Sequence, residues 1–526
     1  MVSEKYRKKR VITNSIILKT IFMALIPVLV CFFYCLVRGE SVFRLYIPNV
    51  VNNDSLFYYK LTEGIVSGGI PKGYFGYNES RAMYGTFASW NPAIVAYWVI
   101  WGKIFGWNFG SVIVSNIVAF SASLGAFTYL VKPKWRSIFA FFSLMILFPA
   151  LSVHTLNALA ETVIGAVVIL YFAFAIREAR IKQSKVNTAF MLASSFILTL
   201  IRPYMILFFF LPCFYMAKRS KAKAFIISLS LAGISFIGYF LMGKFLTSEY
   251  IYPVYNMTAI EKLFSGDIKG SLVAVKYAAM YTLPEIGQLI KYAFGFGMTV
   301  GTQYFVSLLT AVFLLIYVLL SKQEKTGPIL LFQAIFVFVL FLAVVLIYQT
   351  GNDGGRHFYI FAVTGCLLLC MECEGVKKWI MSGILLAFIA IFAIRGSFYP
   401  TDYDVAFENS ELKAQIEYWD KTFEEKGVAA SKTIGYENTV AWVLTDDADG
   451  EYVVTHFNEL YALPCGMGIS CCEYMYVLNN FSDLKSGYIA VCPGGNIEKM
   501  CKEAGFVEIG RTEKLAIYER LHTKGN

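Results

Sequence analysis

Charge is scarce in this chain. Only 16% of its 526 residues are Asp, Glu, Lys or Arg, while 57% are hydrophobic and the mean hydropathy is +0.58. Soluble domains carry about 25% charged residues, so a soluble main body is excluded. Histidine is scarcer still, at four residues, which excludes a His-rich metal centre. Eleven cysteines are present, but the five in the C-terminal region (Cys465, Cys471, Cys472, Cys492 and Cys501) contain no CxxC pair of zinc spacing, so no metal site is predicted from them. The others, Cys31, Cys35, Cys213, Cys366, Cys370 and Cys373, lie in or beside apolar segments, where thiols act as small hydrophobes. Internal repeats and low-complexity tracts are lacking. The net charge of +10 is not gathered into a basic stripe interleaved with aromatics, which excludes a nucleic-acid partner.

What fills the chain instead is a series of apolar runs, each of roughly the 20 residues that cross a bilayer as a helix. Backbone groups have no other way to be satisfied in lipid. The reading is a polytopic α-helical membrane protein with about eleven transmembrane helices. The first span, Val11 to Val37, follows Lys5, Arg7, Lys8, Lys9 and Arg10, and reads as a retained signal anchor with a cytoplasmic N-terminus. Basic loops recur on alternate turns: KPKWR at 132–136, REARIKQSK at 177–185, KRSKAK at 218–223, and Lys322 with Lys325. That alternation places residues 38–107 outside, a long polar loop rich in Gly and Tyr. Its apolar part, Asn91 to Trp107, reads as an interfacial or re-entrant helix. A second outer loop is expected over Gly243 to Gln303.

Composition divides the chain into a membrane domain, 1–395, and an extracytoplasmic α/β domain, 396–526. In the latter, SELKAQIEYWDKTFEEKG and NIEKMCKEAGF have helical period. AWVLTDD, YVVTHF and GYIAVCPG read as strands, and FVEIGRTEKLAIYER as a terminal hairpin. CGMGIS lacks the strand and helix context of a nucleotide site. Outside the cytoplasm, one or two disulfides among the C-terminal cysteines fit.

Asp54, in NNDSLFYY, heads the candidates for chemistry. A carboxylate at the outer surface can act as general base on an acceptor hydroxyl or help hold a divalent metal, and Asp there also fits a helix cap. Glu63 and Glu79 are further acids of the same loop, although Glu63 also fits a solvated face beside Lys60. Tyr58, Tyr74, Tyr77 and Trp90 supply rings that can stack on a sugar or anchor at the interface. Arg356 and His357, in NDGGRHFYIF, stand where the chain re-enters the membrane, and Arg there can pair with phosphate. Arg202, at the tip of a helical hairpin, is a second such cation. His154 with Glu161 can form a metal ligand or proton relay, against the plainer reading of a structural histidine.

An acid soon after the first span, interfacial helices before the second, a late outer arginine and a C-terminal outer domain together resemble the GT-C superfamily of integral-membrane glycosyltransferases, in particular the protein O-mannosyltransferase and aminoarabinose-transferase group. IPKGYFGYNES, GTFASWNP and WGKIFGW are also similar to bacterial membrane proteins of cell-surface glycan assembly. The resemblance implies a bacterial plasma-membrane enzyme with a polyprenyl-phosphate-linked sugar donor and a glycan, lipid or protein acceptor on the outer face. Asp54 would be the base, and Arg356, with His357 and Arg202, would bind the donor phosphate. Many members carry two adjacent acids in the first loop where this chain has only NND. Two other functions remain open: a polymerase or ligase acting on a pyrophosphate-linked glycan through paired arginines, and a flippase or transporter of lipid-linked glycan.

Overall fold

A computed structural model describes residues 2–47, 53–68, 75–79, 92–180, 183–246, 256–321, 325–396, 406–407, 410–426, 436–443, 463, 467–513 and 515–520. Helix α1 (Val2–Val37) opens the chain, followed by a short strand β1 (Leu45–Ile47), helix α2 (Asn53–Gly68), strand β2 (Phe75–Tyr77) and helix α3 (Ala96–Phe105). The membrane part continues through α4 (Ser111–Val131), α5 (Trp135–Ile146), α6 (Pro149–Thr155), α7 (Glu161–Arg180), α8 (Lys185–Ile201), α9 (Phe210–Ala217) and α10 (Lys221–Leu246). Then come α11 (Thr258–Phe264), α12 (Ile268–Phe296), α13 (Thr299–Ser321), α14 (Gly327–Ala343), α15 (Gly351–Gly355), α16 (Phe358–Glu372) and α17 (Gly375–Arg395).

Seven of these helical stretches are long and apolar enough to cross a membrane, and an eighth crossing is made if the bent pair α5–α6 counts as one span. This is a multi-pass membrane protein. Each of the eleven segments expected to span is helical, but α8, α16 and the 203–217 segment are shorter than a full crossing. The apolar helix at Pro92–Phe105 is also short, as an interfacial element requires.

Breaks fall at proline. Phe148, extended as a residue before proline tends to be, ends α5, and Pro149 starts α6 at an angle of 76°. Arg202 is likewise extended before Pro203, between α8 and a 3-10 turn.

At the centre stands α16, whose fifteen residues are all buried. It is packed by α5, α6, α7, α13, α14 and α17. Lipid-exposed helices gain little from burial as such, so close packing holds them together. Gly365 shows the fit: a Cβ there would collide with Thr310 of α13.

The outer region expected as a loop over Gly243 to Gln303 is largely helical. Its 29-residue α12 begins with Asp267, whose carboxylate accepts the Gly270 N–H at 2.8 Å, and ends at Gly297 with φ +70°. Charges at Lys269, Lys276, Glu285 and Lys291 lower its hydropathy without breaking its helical period.

The C-terminal region holds β3 (Ala406–Phe407), α18 (Ser410–Glu425), β4 (Thr439–Val443), β5 (Gly468–Cys472), α19 (Tyr474–Asn480), β6 (Tyr488–Val491), α20 (Asn496–Glu503), β7 (Val507–Arg511) and β8 (Ala516–Glu519). A six-stranded sheet runs β2-β5-β4-β6-β8-β7, parallel except at β8 and β7, with β1 and β3 forming a separate pair. The expected YVVTHF strand lies outside the described residues, as does Cys465. The ten described cysteines are free.

Strand β2 comes from the stretch between the first two membrane helices, so that stretch is built into the sheet. Its turn, Asn78 and Glu79 with φ of 45° and 54°, aims the Glu79 carboxylate inward. There it accepts hydrogen bonds from the Lys485 and Ser486 N–H groups at 3.0 and 2.6 Å and from the Ser486 hydroxyl at 2.5 Å. Bonds to a charged acceptor contribute about 1.5–3 kcal/mol each, and orphaned donors add to the loss. Glu79→Ala is therefore expected to destabilise this junction by about 3 kcal/mol. Protease cleavage between β2 and α3 at an unchanged rate would refute it.

A second acid bonds the far end of the sheet. Burial pushes the Glu498 carboxyl up, but the Lys502 ammonium, the Gly494 N–H, the Tyr518 hydroxyl and the Arg511 guanidinium outweigh it and hold the group well below the usual carboxylate range. A folded value below the unfolded one, about 4.3, gives stability that is complete above that pH and lost as pH falls further. Glu498→Gln is expected to flatten the acid limb of unfolding of this region between about pH 5 and pH 3, read by tryptophan fluorescence.

Candidate active site

The breaks described above deliver polar groups to one end of the bundle, where α7, α13 and α16 begin and α6 and α8 finish. Glu161 is the first residue of α7 and is only 1% exposed. Its Oε1 accepts a hydrogen bond from Arg202 Nη2 at 2.9 Å and lies 3.9 Å from Arg356 Nε. Two guanidinium groups thus converge on one oxygen of one carboxylate. Tyr58 of α2 and Tyr204 lie within electrostatic reach of Arg202.

Arg356 is set by the turn between α15 and α16. Gly354 and Gly355 let that turn press on Val344, Val300 and Tyr304, where a Cβ would clash. The N-terminus of α15 is held by Glu285 of α12, which accepts the Gly351 N–H at 2.6 Å and the Asn352 N–H at 3.0 Å. The Tyr304 hydroxyl donates to the Gly351 carbonyl at 2.7 Å.

Both histidines are buried against this cluster. His154 stacks on Tyr359 with centroids 4.2 Å apart, and the Gln303 amide lies 2.8 Å from its Nε2, an acceptor when the ring proton is on Nδ1. His357 Nδ1 is 3.2 Å from the Tyr204 hydroxyl. The irregular 156–160 segment is pinned by Asn116, whose Nδ2 donates to the Thr155 and Asn157 carbonyls at 3.2 and 2.9 Å. Its Oδ1 accepts the Trp98 indole N–H at 3.0 Å, which ties α3 to the cluster.

Several buried polar atoms here lack a hydrogen-bond partner among the described residues: Glu161 Oε2, Arg202 Nε, His154 Nδ1, Gln303 Oε1 and both amide atoms of Asn157. Each such atom costs about 1–3 kcal/mol. Their concentration beside two arginines fits a site that receives a polar ligand.

Thus His154, Glu161, Arg202, Arg356, His357 and Tyr58 gather in one place. Glu63 does not join them. It accepts from Lys60 Nζ at 2.8 Å, and the same buried ammonium donates to the Leu463 carbonyl at 2.8 Å, docking α2 on the C-terminal region. Glu79 is bound within the sheet, away from the cluster. Asp54 is in the first turn of α2, one turn before Tyr58; its side chain lies outside the described residues. So do Tyr74, Trp90 and the side chain of Tyr77.

No family model matches this chain, and no curated protein matches it. Among the solved structures similar to it are two of one protein. One is ArnT from Cupriavidus metallidurans bound to undecaprenyl phosphate, at TM-score 0.40 and 9% identity, covering 93% of this chain and 98% of that one. The other is the same protein in the apo state, at TM-score 0.36 and 10% identity, covering 90% and 95%.

The site stands on its own geometry. Asn157, Gln303, Tyr204 and Glu285 were not anticipated from the sequence; amides and hydroxyls at the ends of apolar helices were the signal for the first three, and Glu285 lies within α12, a helix the sequence reading took for loop. Among the described residues no group of three or more His, Cys, Asp and Glu is placed to hold a metal ion.

Proposed function

We propose that this chain is a membrane-embedded glycosyltransferase. It moves a sugar from a polyprenyl-phosphate carrier to a hydroxyl of a glycan, lipid or protein acceptor on the extracytoplasmic face. The observation that carries this reading is the convergence of Arg202 and Arg356 on the single buried carboxylate of Glu161, 2.9 and 3.9 Å away. Two guanidinium groups held side by side on a buried carboxylate are the kind of paired donors that grip a phosphate.

In the reaction the acceptor oxygen attacks the anomeric carbon and the carbon–oxygen bond to phosphate breaks, with inversion. The proton of the acceptor goes to the Asp54 carboxylate, and the bonding pair leaves on the polyprenyl phosphate. The phosphate thereby passes from one negative charge towards two. Arg356 and Arg202 stabilise that gain, which is the role of preorganised donors aimed at developing charge. Helix α2 carries Asp54 on one side of this arrangement and docks on the C-terminal region through Lys60.

The same arginine pair favours a second reading, a polymerase or ligase that releases polyprenyl pyrophosphate from a longer glycan without a first-loop base. Purified protein in liposomes, offered each donor in turn with labelled sugar, separates the two. Transfer from the monophosphate-linked sugar is the expected result. Transfer from the pyrophosphate-linked glycan alone establishes the second reading, and no transfer from either removes both.

A further inference from the structure

The opposite end of the bundle carries a second charged site. Helix α7 runs from Glu161 in the cluster above to Arg180 here, 20 residues or about 30 Å away at 1.5 Å per residue. At this end a pocket of about 220 Å³ opens between the α4–α5 and α16–α17 connections. Five cations line it: Lys132, Lys134, Arg136, Arg180 and Lys378.

Acidic compensation is thin. Glu374 is the one carboxylate in the wall; it is 66% exposed and 3.9 Å from Lys134, a pairing of little strength in water. Glu372 lies behind the wall, fully buried, and is engaged by Arg180 at 2.9 Å.

Three features set the pocket apart from basic loops that only orient a span. Lys378 is 6% exposed, and its ammonium donates to the neutral Ser137 hydroxyl at 2.6 Å. Glu372 and Glu374 act on this ammonium only from a distance, so the buried cation has one neutral hydrogen-bond partner among the described residues, and an anion in the pocket offsets the cost of burying it. The N-termini of α5 and α17 both open on the pocket, and neither cap residue, Lys134 or Glu374, makes a side-chain cap bond. Their backbone N–H groups offer donors to an anion, while the C-termini of α4, α7 and α16 end at the same pocket and offset the dipole contribution, so the positive potential comes from the side chains. Finally, the mouth is flanked by groups that suit the headgroup level: Trp379, 44% exposed with Lys378 over its ring at 5.0 Å, and exposed Val376 and Ile380 on the same helix.

We propose that this pocket binds the phosphate group of an anionic membrane lipid, with the acyl chains along the exposed apolar flank of α17. Basic pockets between membrane helices take anionic headgroups in this way. The site is separate from the transfer chemistry, so its fate does not depend on that reading.

The test uses the full chain, reconstituted in vesicles of equal phosphatidylglycerol and phosphatidylcholine, extracted in mild detergent and analysed for retained lipid. Phosphatidylglycerol is expected to be enriched at least about fivefold in the wild type, in keeping with the strength of surface-basic attraction of about 1 kcal/mol per cation. Lys132 has φ +57°, where glycine is unstrained. The double variant Lys132→Gly, Arg136→Gln is therefore expected to keep its melting temperature while losing most of the enrichment. Equal retention of both lipids by the wild type overturns the proposal, as does full enrichment in the double variant. If inorganic phosphate raises the melting temperature but no lipid preference is found, the pocket takes a soluble phosphate and the lipid assignment falls.

Discussion

Replacing Arg202 by alanine is expected to lower sugar transfer by about 10²–10³-fold, the range found on removing one donor to a developing oxyanion. The guanidinium has two tasks. It donates to Glu161 at 2.9 Å, and its Nε has no partner among the described residues. That free donor is available to a phosphate oxygen. The variant also leaves Glu161, 1% exposed, with Arg356 at 3.9 Å, and stranding a buried charge costs about 3–5 kcal/mol.

Loss of activity alone therefore does not separate phosphate handling from collapse. The double variant Arg202→Ala, Glu161→Gln does, because it removes the stranded charge. Its melting temperature is expected to recover most of the loss while transfer stays low. Arg202→Lys should keep the charge but not the forked geometry, and so lie between the two. Recovery of transfer in the double variant would make Arg202 a structural partner of Glu161 and nothing more.

Apolar runs and basic loops marked most of the helices, and Arg202 with Pro203 marked one break; the bend at Pro149 falls inside a stretch that hydropathy reads as one continuous span. The misreadings have physical causes. Helix α12 carries charges spaced along its length together with Pro284, so a hydropathy reading took it for loop. Strand β2 has three residues and pairs with β5 nearly four hundred positions later, a contact no local pattern can announce.

Glu161, Arg202 and Arg356 were each visible as charges at the ends of apolar segments. Their convergence was not, because it depends on the extended residue before Pro203 and on the glycine turn beneath Arg356. Neutral partners such as Gln303 and Asn157 have no charge to betray them. In the proposed reaction, phosphate handling is divided between the hairpin of α8 and the α15–α16 turn, while the acceptor side rests on α2.

Asp54→Asn tests that acceptor side. General-base catalysis contributes about 10²–10⁴-fold, so turnover is expected to fall by that factor. Asn fills the same volume, and Asp54 is the second residue of α2 and not its cap, so the variant gives up only the interaction of an acid with the helix N-terminus, about 0.3–1 kcal/mol. That makes this the cleaner of the two large tests. Asp54 stands in the first turn of α2, one turn ahead of Tyr58, which is buried and within electrostatic reach of Arg202. The helix therefore couples the proposed base to the arginine pair.

If Asp54 accepts the proton only in the transition state, kcat falls while the KM for the donor holds, because phosphate binding rests with the arginines. The wild-type rate should also decline as pH drops through the carboxylate range, and the variant should lose that limb. A silent Asp54→Asn beside an inactive Arg202→Ala, Glu161→Gln would move the chemistry to pyrophosphate release. Transfer with the phosphate-linked donor would then have no base in α2, and the acceptor would have to be activated from the Glu161 cluster itself.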